Sequence, residues 1–169
     1  PTISRRQRQM CIRDSRVLES EDGLEVIEVG SPAEHETCLD HEMVLPTGRV
    51  DRDRFYGGQR FVHHVASEAP RVALEAGVEA RDLGYGAATG GVMSGRVVKV
   101  EPGRSMSARH DGELRLLTIT AGGMTCRGDG VEEDLGRGDA ISLPPRTGFD
   151  CIAGHDGVEF LEIAAPAAH

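Results

Sequence analysis

From Arg96 onward, short apolar runs alternate with turn-forming residues, and this pattern constrains the fold more than any other feature of the sequence. Runs such as Arg96–Val100, Leu114–Thr120 and Ala140–Leu143 are each followed by a segment rich in Gly or Pro. Strands of this length, repeated about every 8–12 residues with turn signals between them, are typical of β-sandwiches and β-barrels. The sequence therefore predicts an all-β domain.

The turn signals predict how these strands connect. Gly128-Asp129-Gly130 separates the runs Met124–Arg127 and Val131–Leu135, which predicts a tight β-hairpin. The other predicted elements are strands at 24–29 and Gln59–Val65, a short helix or strand at Arg71–Ala80, a Gly-rich loop at Arg81–Gly91, a turn at Ala121–Gly123, and a last hairpin of Phe149–Ala153 and Val158–Ala164 across residues 154–157.

Charge and cysteine content narrow the range of partners and locations. The 169-residue chain has a net charge of -9, and because residues 1–16 carry +4, the remainder carries -13. An acidic body argues against nucleic acid and anionic membranes as partners. No apolar run reaches the roughly 20 residues of a membrane-spanning helix. The four cysteines form no CxxC pair, which favours free thiols and a cytoplasmic location.

Two segments of the chain resemble each other. Residues 22–35 (DGLEVIEVGSPAEH) and 156–169 (DGVEFLEIAAPAAH) are identical at seven of 14 positions, and each reads as a turn, a strand and a terminating Pro. Because the second copy closes the predicted domain, we expect the first to close an earlier, similar domain. This predicts a remnant of a preceding domain with a linker at 16–69 and a complete barrel at 70–169. Residues 1–15 have no apolar periodicity, and we expect them to be a non-native leader.

An ordered series of motifs carries a family resemblance. The series consists of Pro102-Gly103, the strand and turn Leu114–Gly122, Gly138-Asp139, Pro144-Pro145 and the closing strand Glu159–Glu162. In this order the motifs resemble those of the cupins, and the lead-in at residues 79–91 is similar to that of one bacterial cupin group. The resemblance implies a cupin jelly-roll barrel with an N-terminal arm, a homodimer, and, with the repeat, a fragment of a bicupin.

The resemblance also implies a metal site, which this sequence does not retain. Cupins usually bind one divalent ion (Fe, Mn, Ni, Cu or Zn) through an H-x-H pair, a Glu or Gln on the next strand, and a later His. These positions correspond here to Ala108, His110, Arg115 and Phe149, so only His110 keeps a ligand. An arginine adds a fixed positive charge where the metal would lie. We therefore expect a degenerate site without a metal or another cofactor.

The same positions predict a pocket and leave its role open. Ala108, His110, Arg115, Phe149 and Cys151 are the candidate lining residues. In one interpretation Arg115 clamps a carboxylate and His110 hydrogen-bonds to it. In the other, Arg115 pairs with an acidic neighbour such as Glu113 or Asp111, and His110 is a partly exposed histidine whose hydrogen bonds are satisfied. A nucleophilic Cys151 with His110 as its base is a third, weaker hypothesis.

Two functions remain open from the sequence. The first is a metal-free cupin domain that binds a small molecule, such as a small organic acid, or has a structural role. The alternative is a metal-dependent cupin enzyme, similar to a dioxygenase or isomerase, that acts on a small organic acid. The ligand positions favour the first hypothesis, because three of the four carry residues that cannot bind a metal.

Overall fold

The computed structural model describes residues 22–30, 53, 55–56 and 58–165. These residues divide into two units, one ending at Phe61 and one beginning at Val62. The predicted leader at 1–15 and most of the predicted linker lie outside the described residues. In the part of the chain that the structure describes, no helix is long and apolar enough to cross a membrane.

The described residues of the first unit contain one short two-stranded pairing. The predicted strand at 24–29 is wrong, since residues 24–30 are not in a strand and three of their four apolar side chains, those of Leu24, Val26 and Ile27, are exposed. A segment forms a β-strand only where a neighbouring strand pairs with its backbone through hydrogen bonds. Apolar side chains alone do not provide that pairing. The predicted strand Gln59–Val65 is reduced to β2 (Gln59–Arg60), which pairs with β1 (Phe55–Tyr56).

The second unit is one antiparallel sheet that forms a β-barrel of the jelly-roll type. Its strands are β3 (Val72–Glu75), β4 (Val78–Asp82), β5 (Ser94–Val100), β6 (Ser105–Arg109), β7 (Leu114–Gly128), β8 (Val131–Gly136), β9 (Ala140–Leu143) and β10 (Gly148–Ala165). They are hydrogen-bonded in the order β3-β4-β5-β10-β7-β8, with β6 also paired to β10 and β9 to β7. One short helix, α1 (Tyr85–Ala88), lies in the predicted Gly-rich loop.

Two long strands replace two predicted turns. β7 runs without interruption through Ala121–Gly123, and β10 runs through residues 154–157, where a hairpin was predicted. The glycines there mark bends within paired strands, with a register shift between Ala153 and Val158. Gly122 has a φ of +68°, and a Cβ placed on it would lie 2.1 Å from the backbone oxygen of Gly157. The close approach of the two strands therefore requires glycine at this position.

Other predictions are confirmed. The hairpin between β7 and β8 turns at Asp129 and Gly130, whose φ angles of 49° and 79° fit a type I′ turn. The strand Ala140–Leu143 is β9. The undecided segment Arg71–Ala80 consists of two strands, β3 and the start of β4, joined at a turn that contains Gly77.

Alternation along the strands divides an apolar interior from a polar outer face. Phe160 on β10 is fully buried and lies opposite Val98 on β5 and Ile119 on β7. Directly paired residues on antiparallel strands point to the same face, so this row defines the inner side of the barrel. The next inward row, two residues further along each strand, consists of Arg96, Leu117 and Glu162. A charged group therefore lies inside the barrel.

Candidate functional site

The barrel interior contains a polar cluster of four residues, Arg96, His110, Arg115 and Glu162. Glu162 faces inward because it is two residues beyond the buried Phe160, and Arg96 lies directly opposite it on β5. Arg115 is at the start of β7, two residues before the buried Leu117, and so faces inward too. Strands, rather than loops, hold the side chains of Arg96, Arg115 and Glu162 in place.

One carboxylate lies between two guanidinium groups. Arg96 donates from Nε to Oε1 of Glu162 at 2.7 Å and from Nη2 to Oε2 at 3.3 Å. Nη1 of Arg115 is 3.8 Å from Oε2 of the same carboxylate. The Glu162 side chain is 6% exposed and that of Arg115 15%. Two positive charges and one negative charge leave the cluster with a net positive charge in a mostly buried environment.

His110 completes the polar cluster as a neutral side chain. It directly follows β6, is 1% exposed, and its backbone N–H donates to the Thr147 carbonyl at 2.8 Å. Burial, and next the positive charge of Arg115, lower the pKa of His110 below its usual 6.5, although Asp111 and Glu162 oppose this. At neutral pH the imidazole is therefore uncharged and adds nothing to the positive charge of the cluster.

Two nitrogen atoms of the polar cluster are buried without a hydrogen-bond partner. They are Nε2 of His110 and Nε of Arg115. Buried polar groups in folded proteins nearly always have a partner, and an unpaired one costs about 1–3 kcal/mol. Both atoms belong to residues at positions where the cupin resemblance implies metal ligands. The unpaired nitrogens therefore indicate a place where a hydrogen-bonding ligand would lower the free energy.

The structure brings the candidate pocket residues Arg115, Phe149 and Ala108 together. The guanidinium carbon of Arg115 lies 5.7 Å from the centroid of the Phe149 ring, within range of a cation–π contact. Ala108 on β6 is paired directly with Phe149 on β10, so both share the inner face. An aromatic side chain and a small one thus form an apolar wall beside the guanidinium.

The interpretation of His110 as a partly exposed residue is wrong, because its side chain is buried among the strands. Of the two acidic neighbours considered for Arg115, Asp111 forms its ion pair with Arg109 at 3.0 Å, on the exposed surface. The buried carboxylate beside Arg115 is Glu162, which was not among the residues predicted from the sequence. Glu162 is two residues after the apolar Phe160 on the same predicted strand. Because side chains alternate between the two faces of a strand, this spacing could have indicated that Glu162 faces the barrel interior.

Cys151 lies on the same inner face as Phe149 but does not have the properties of a nucleophile. Its side chain is fully buried, and burial raises the pKa of its thiol to about 12. The thiolate is the reactive form, so a thiol with this pKa stays protonated and unreactive at neutral pH. Its nearest described polar contact is with the sulfur of Met124, at 2.9 Å.

The residues at the expected metal position do not fit a divalent ion. Ala108 and Phe149 have no donor atom, and Arg115 holds a positive charge that repels a cation. Among the described residues, no group of three or more His, Cys, Asp or Glu side chains is arranged to hold a metal ion. The charge and donor set of the polar cluster instead suit an anion.

Comparison with known proteins identifies the fold. No protein-family model and no curated protein matches the sequence. Solved structures do match: KdgF from Halomonas sp. (16% identity, TM-score 0.54, covering 62% of this chain and 92% of that one) and an RmlC-like cupin from Shewanella frigidimarina (15%, 0.55, 66% and 96%). A predicted oxalate decarboxylase from Thermotoga maritima is also similar (21%, 0.52, 63% and 98%). The chain therefore has the cupin fold, a jelly-roll β-barrel.

Proposed function

We propose that this barrel binds a small organic acid through its carboxylate at the polar cluster, without a divalent metal. The observation that carries the proposal is the pair of unpartnered buried nitrogens, Nε2 of His110 and Nε of Arg115. They belong to side chains close enough that the charge of Arg115 shifts the pKa of His110. A carboxylate has two oxygens and accepts hydrogen bonds from both kinds of group.

The charge of the polar cluster supports an anion rather than a neutral ligand. Glu162 neutralises one of the two guanidinium groups, and its short hydrogen bonds go to Arg96. Arg115, at 3.8 Å from the same carboxylate, has a weaker ion pair and keeps donors for a second acceptor. One bound carboxylate would bring the cluster to neutrality, and charge-assisted hydrogen bonds of this type contribute about 1.5–3 kcal/mol.

The surroundings of Arg115 support a ligand with a small apolar body. The Phe149 ring and the Ala108 methyl group lie on the inner face beside the guanidinium, so a bound acid would meet apolar surface next to its carboxylate. The side chain of Arg115 keeps 15% of its surface exposed and that of Arg96 keeps 32%. The two arginines therefore keep contact with solvent, whereas the two unpartnered nitrogens are buried.

The metal-dependent enzyme remains the alternative hypothesis from the sequence. No observation among the described residues favours it over anion binding, because the positions of three of the four implied ligands carry Ala, Arg and Phe. In the proposed function Arg115 replaces the cation that would bind an acid in a metal-containing relative. An arginine keeps its charge at every physiological pH, so it serves as a permanent anchor for an anion.

The test is isothermal titration calorimetry with a panel of small monocarboxylic acids and their uncharged amides. We expect one or more acids to bind the wild-type protein and the matching amides to bind at least about tenfold more weakly, a difference of about 1.4 kcal/mol. Arg115→Gln should abolish the preference for the acid, and Arg127→Gln, which changes an exposed arginine on the outer face, should preserve it. Equal binding of acids and amides, or unchanged acid binding by Arg115→Gln, would refute the proposal.

A further inference from the structure

Two arginines face each other on the outer side of the sheet, at the ends of β3 and β4. Val72 on β3 is paired with Ala80 on β4, and Ala80 belongs to the buried core of the barrel. Arg71 directly precedes Val72 and Arg81 directly follows Ala80, so the register places the two arginines opposite each other on the outer face. Like charges at directly opposite positions destabilise a sheet, and this placement therefore favours an anion close to both.

The segment that precedes β3 brings a histidine to the same edge of the sheet. A Cβ placed on Gly84, just after β4, would lie 3.5 Å from Cγ1 of Val62. Four residues later, the Ala66 carbonyl accepts a hydrogen bond from Nη1 of Arg81 at 3.4 Å. His64 lies midway between these two contacts, so its backbone is held beside the end of β4. Arg71, Arg81 and His64 are called the outer cluster below.

Each side chain of the outer cluster has one buried nitrogen without a hydrogen-bond partner. These atoms are Nη1 of Arg71, Nε of Arg81 and Nε2 of His64. Five such nitrogens occur among the described residues, and the other two belong to the polar cluster inside the barrel. Leaving a buried polar group unpaired costs about 1–3 kcal/mol. The outer cluster is therefore a second place where a ligand with several acceptor atoms would lower the free energy.

The outer cluster keeps one uncompensated positive charge. Arg71 donates from Nη2 to Oε2 of Glu159 at 2.5 Å, so this carboxylate neutralises its guanidinium. Arg81 forms no ion pair among the described residues, and its one hydrogen bond goes to the neutral Ala66 carbonyl. Glu79 and Lys99, the next charged residues on this face, are exposed and directly paired with each other. The charge of Arg81 is therefore available to an anion.

We propose that the outer cluster binds the phosphoryl group of a small phosphate ester. A phosphoryl group has three strong acceptor oxygens, one for each unpartnered nitrogen, and its negative charge opposes that of Arg81. The planar fork of an arginine matches phosphate geometry. The Arg71 side chain keeps 27% of its surface exposed, so the rest of the ester can extend into solvent. The site lies on the opposite face of the sheet from the polar cluster and does not depend on the proposed function.

The test is calorimetric titration of the full chain with methyl phosphate, inorganic phosphate and acetate in a phosphate-free buffer. The chain carries Arg115→Gln, which removes the anchor of the polar cluster, so that anion binding there does not contribute. We expect one methyl phosphate per chain with a Kd of about 1 mM or lower, at least as tight as inorganic phosphate, and acetate at least about tenfold weaker. Absence of methyl phosphate binding, or equal binding of acetate, would overturn the proposal. Binding of inorganic phosphate with exclusion of methyl phosphate would overturn the assignment to an ester.

Further variants in the Arg115→Gln background identify the binding residues. Arg81→Gln should weaken methyl phosphate binding by at least about tenfold, because it removes the uncompensated charge and the Nε donor. His64→Leu removes one neutral donor and should weaken binding by about fivefold, and it tests the same site if Arg81→Gln does not fold. Arg127→Gln, at an exposed arginine paired with Glu132, is the control and should keep the affinity. Unchanged affinity in His64→Leu, or in a folded Arg81→Gln, would show that the ester binds elsewhere and would overturn the assignment.

The two proposed sites can be tested separately. With Arg115 intact, Arg81→Gln should leave the binding of an organic acid at the polar cluster unchanged, because the two arginines lie on opposite faces of the sheet. A protein that binds methyl phosphate but no organic acid would refute the proposed function and support the outer cluster as a phosphate site. The reverse result would overturn the outer cluster alone.

Discussion

Arg96 and Glu162 form a two-point ion pair inside the barrel, with hydrogen bonds of 2.7 Å and 3.3 Å between facing positions of β5 and β10. On the outer face Arg127 and Glu132 form a pair with similar lengths, 2.8 Å and 3.1 Å. The two pairs differ in burial: Glu162 has a side chain 6% exposed and Glu132 one 60% exposed. The two pairs therefore allow a buried ion pair to be compared with a solvent-exposed pair of similar geometry.

Glu162→Gln should lower the free energy of unfolding by about 2–3 kcal/mol, because it leaves two guanidinium groups beside a neutral amide in a mostly buried place. Glu132→Gln removes the same charge on the surface and should leave the urea midpoint close to that of the wild type. Urea unfolding of both variants at pH 7 is the measurement. Equal midpoints for the two variants would contradict the structural role assigned to Glu162.

His110→Gln should change how stability depends on pH. The folded protein holds His110 neutral, because burial and Arg115 lower its pKa, whereas the unfolded chain takes up a proton on this residue below about pH 6.5. Unfolding thus binds a proton, and the contribution of His110 makes stability fall as the pH decreases below 6.5, by at most about 1.4 kcal/mol per pH unit. His110→Gln should flatten this slope between pH 7.5 and pH 5.

Urea midpoints across this pH range provide the measurement, and His155→Gln is the control. His155 has a side chain that is 92% exposed, so its replacement should leave the slope as in the wild type. A slope that is the same in His110→Gln and in the wild type would show that His110 titrates alike in the folded and unfolded states.

Gly122→Ala should be far more destabilising than Gly103→Ala, although the two glycines have nearly the same φ, +68° and +67°. Both substitutions force an alanine into a left-handed conformation, at a cost of about 1 kcal/mol. Only at Gly122 does the added Cβ collide, at 2.1 Å from the Gly157 oxygen, whereas nothing lies within 4 Å at Gly103. We expect an additional loss of at least about 2 kcal/mol in urea unfolding of Gly122→Ala. Equal losses would mean that the two long strands are not packed as described.

Cys151 should resist alkylation in the folded protein. Its thiol has a pKa of about 12 against an ordinary 9.0, which reduces the thiolate fraction on the order of 1000-fold, and burial blocks access as well. Iodoacetamide at pH 8 followed by peptide mass spectrometry should find this residue unmodified until denaturant is added. Modification of native Cys151 at the rate of the unfolded chain would contradict its described burial.

The overall fold was largely predictable from local signals. Regular turns and short apolar runs predicted an all-β sandwich or barrel, and the resemblance to cupins implied the jelly-roll barrel. Asp129-Gly130 forms the two-residue hairpin turn that this dipeptide favours. Gly122 and Gly157 were misread because a glycine that permits a turn equally permits a bend within a strand. Whether the glycine forms a turn or a bend depends on which strand, distant in sequence, pairs with its own segment. That pairing is a property of the assembled sheet rather than of the local sequence.

The candidate site was predictable only in part. The ligand positions implied by the cupin resemblance identified His110 and Arg115 as candidate site residues. The carboxylate beside Arg115, however, belongs to Glu162, 47 residues later in the chain. Which acidic residue faces an arginine is set by register between strands distant in sequence, and a shift of one residue would turn Glu162 outward. The burial of His110 also depends on tertiary contacts, since its backbone N–H is bonded to Thr147.

In the proposed function the polar cluster binds a carboxylate without a metal. The most direct test is calorimetric titration of the best-bound acid into protein stripped with EDTA, repeated after dialysis against Fe, Mn, Ni, Cu and Zn in turn. We expect the same affinity in every sample and loss of binding in Arg115→Gln. Binding that appears only after a divalent metal is restored, and that His110→Ala abolishes, would refute the proposed function and identify a metal-dependent site.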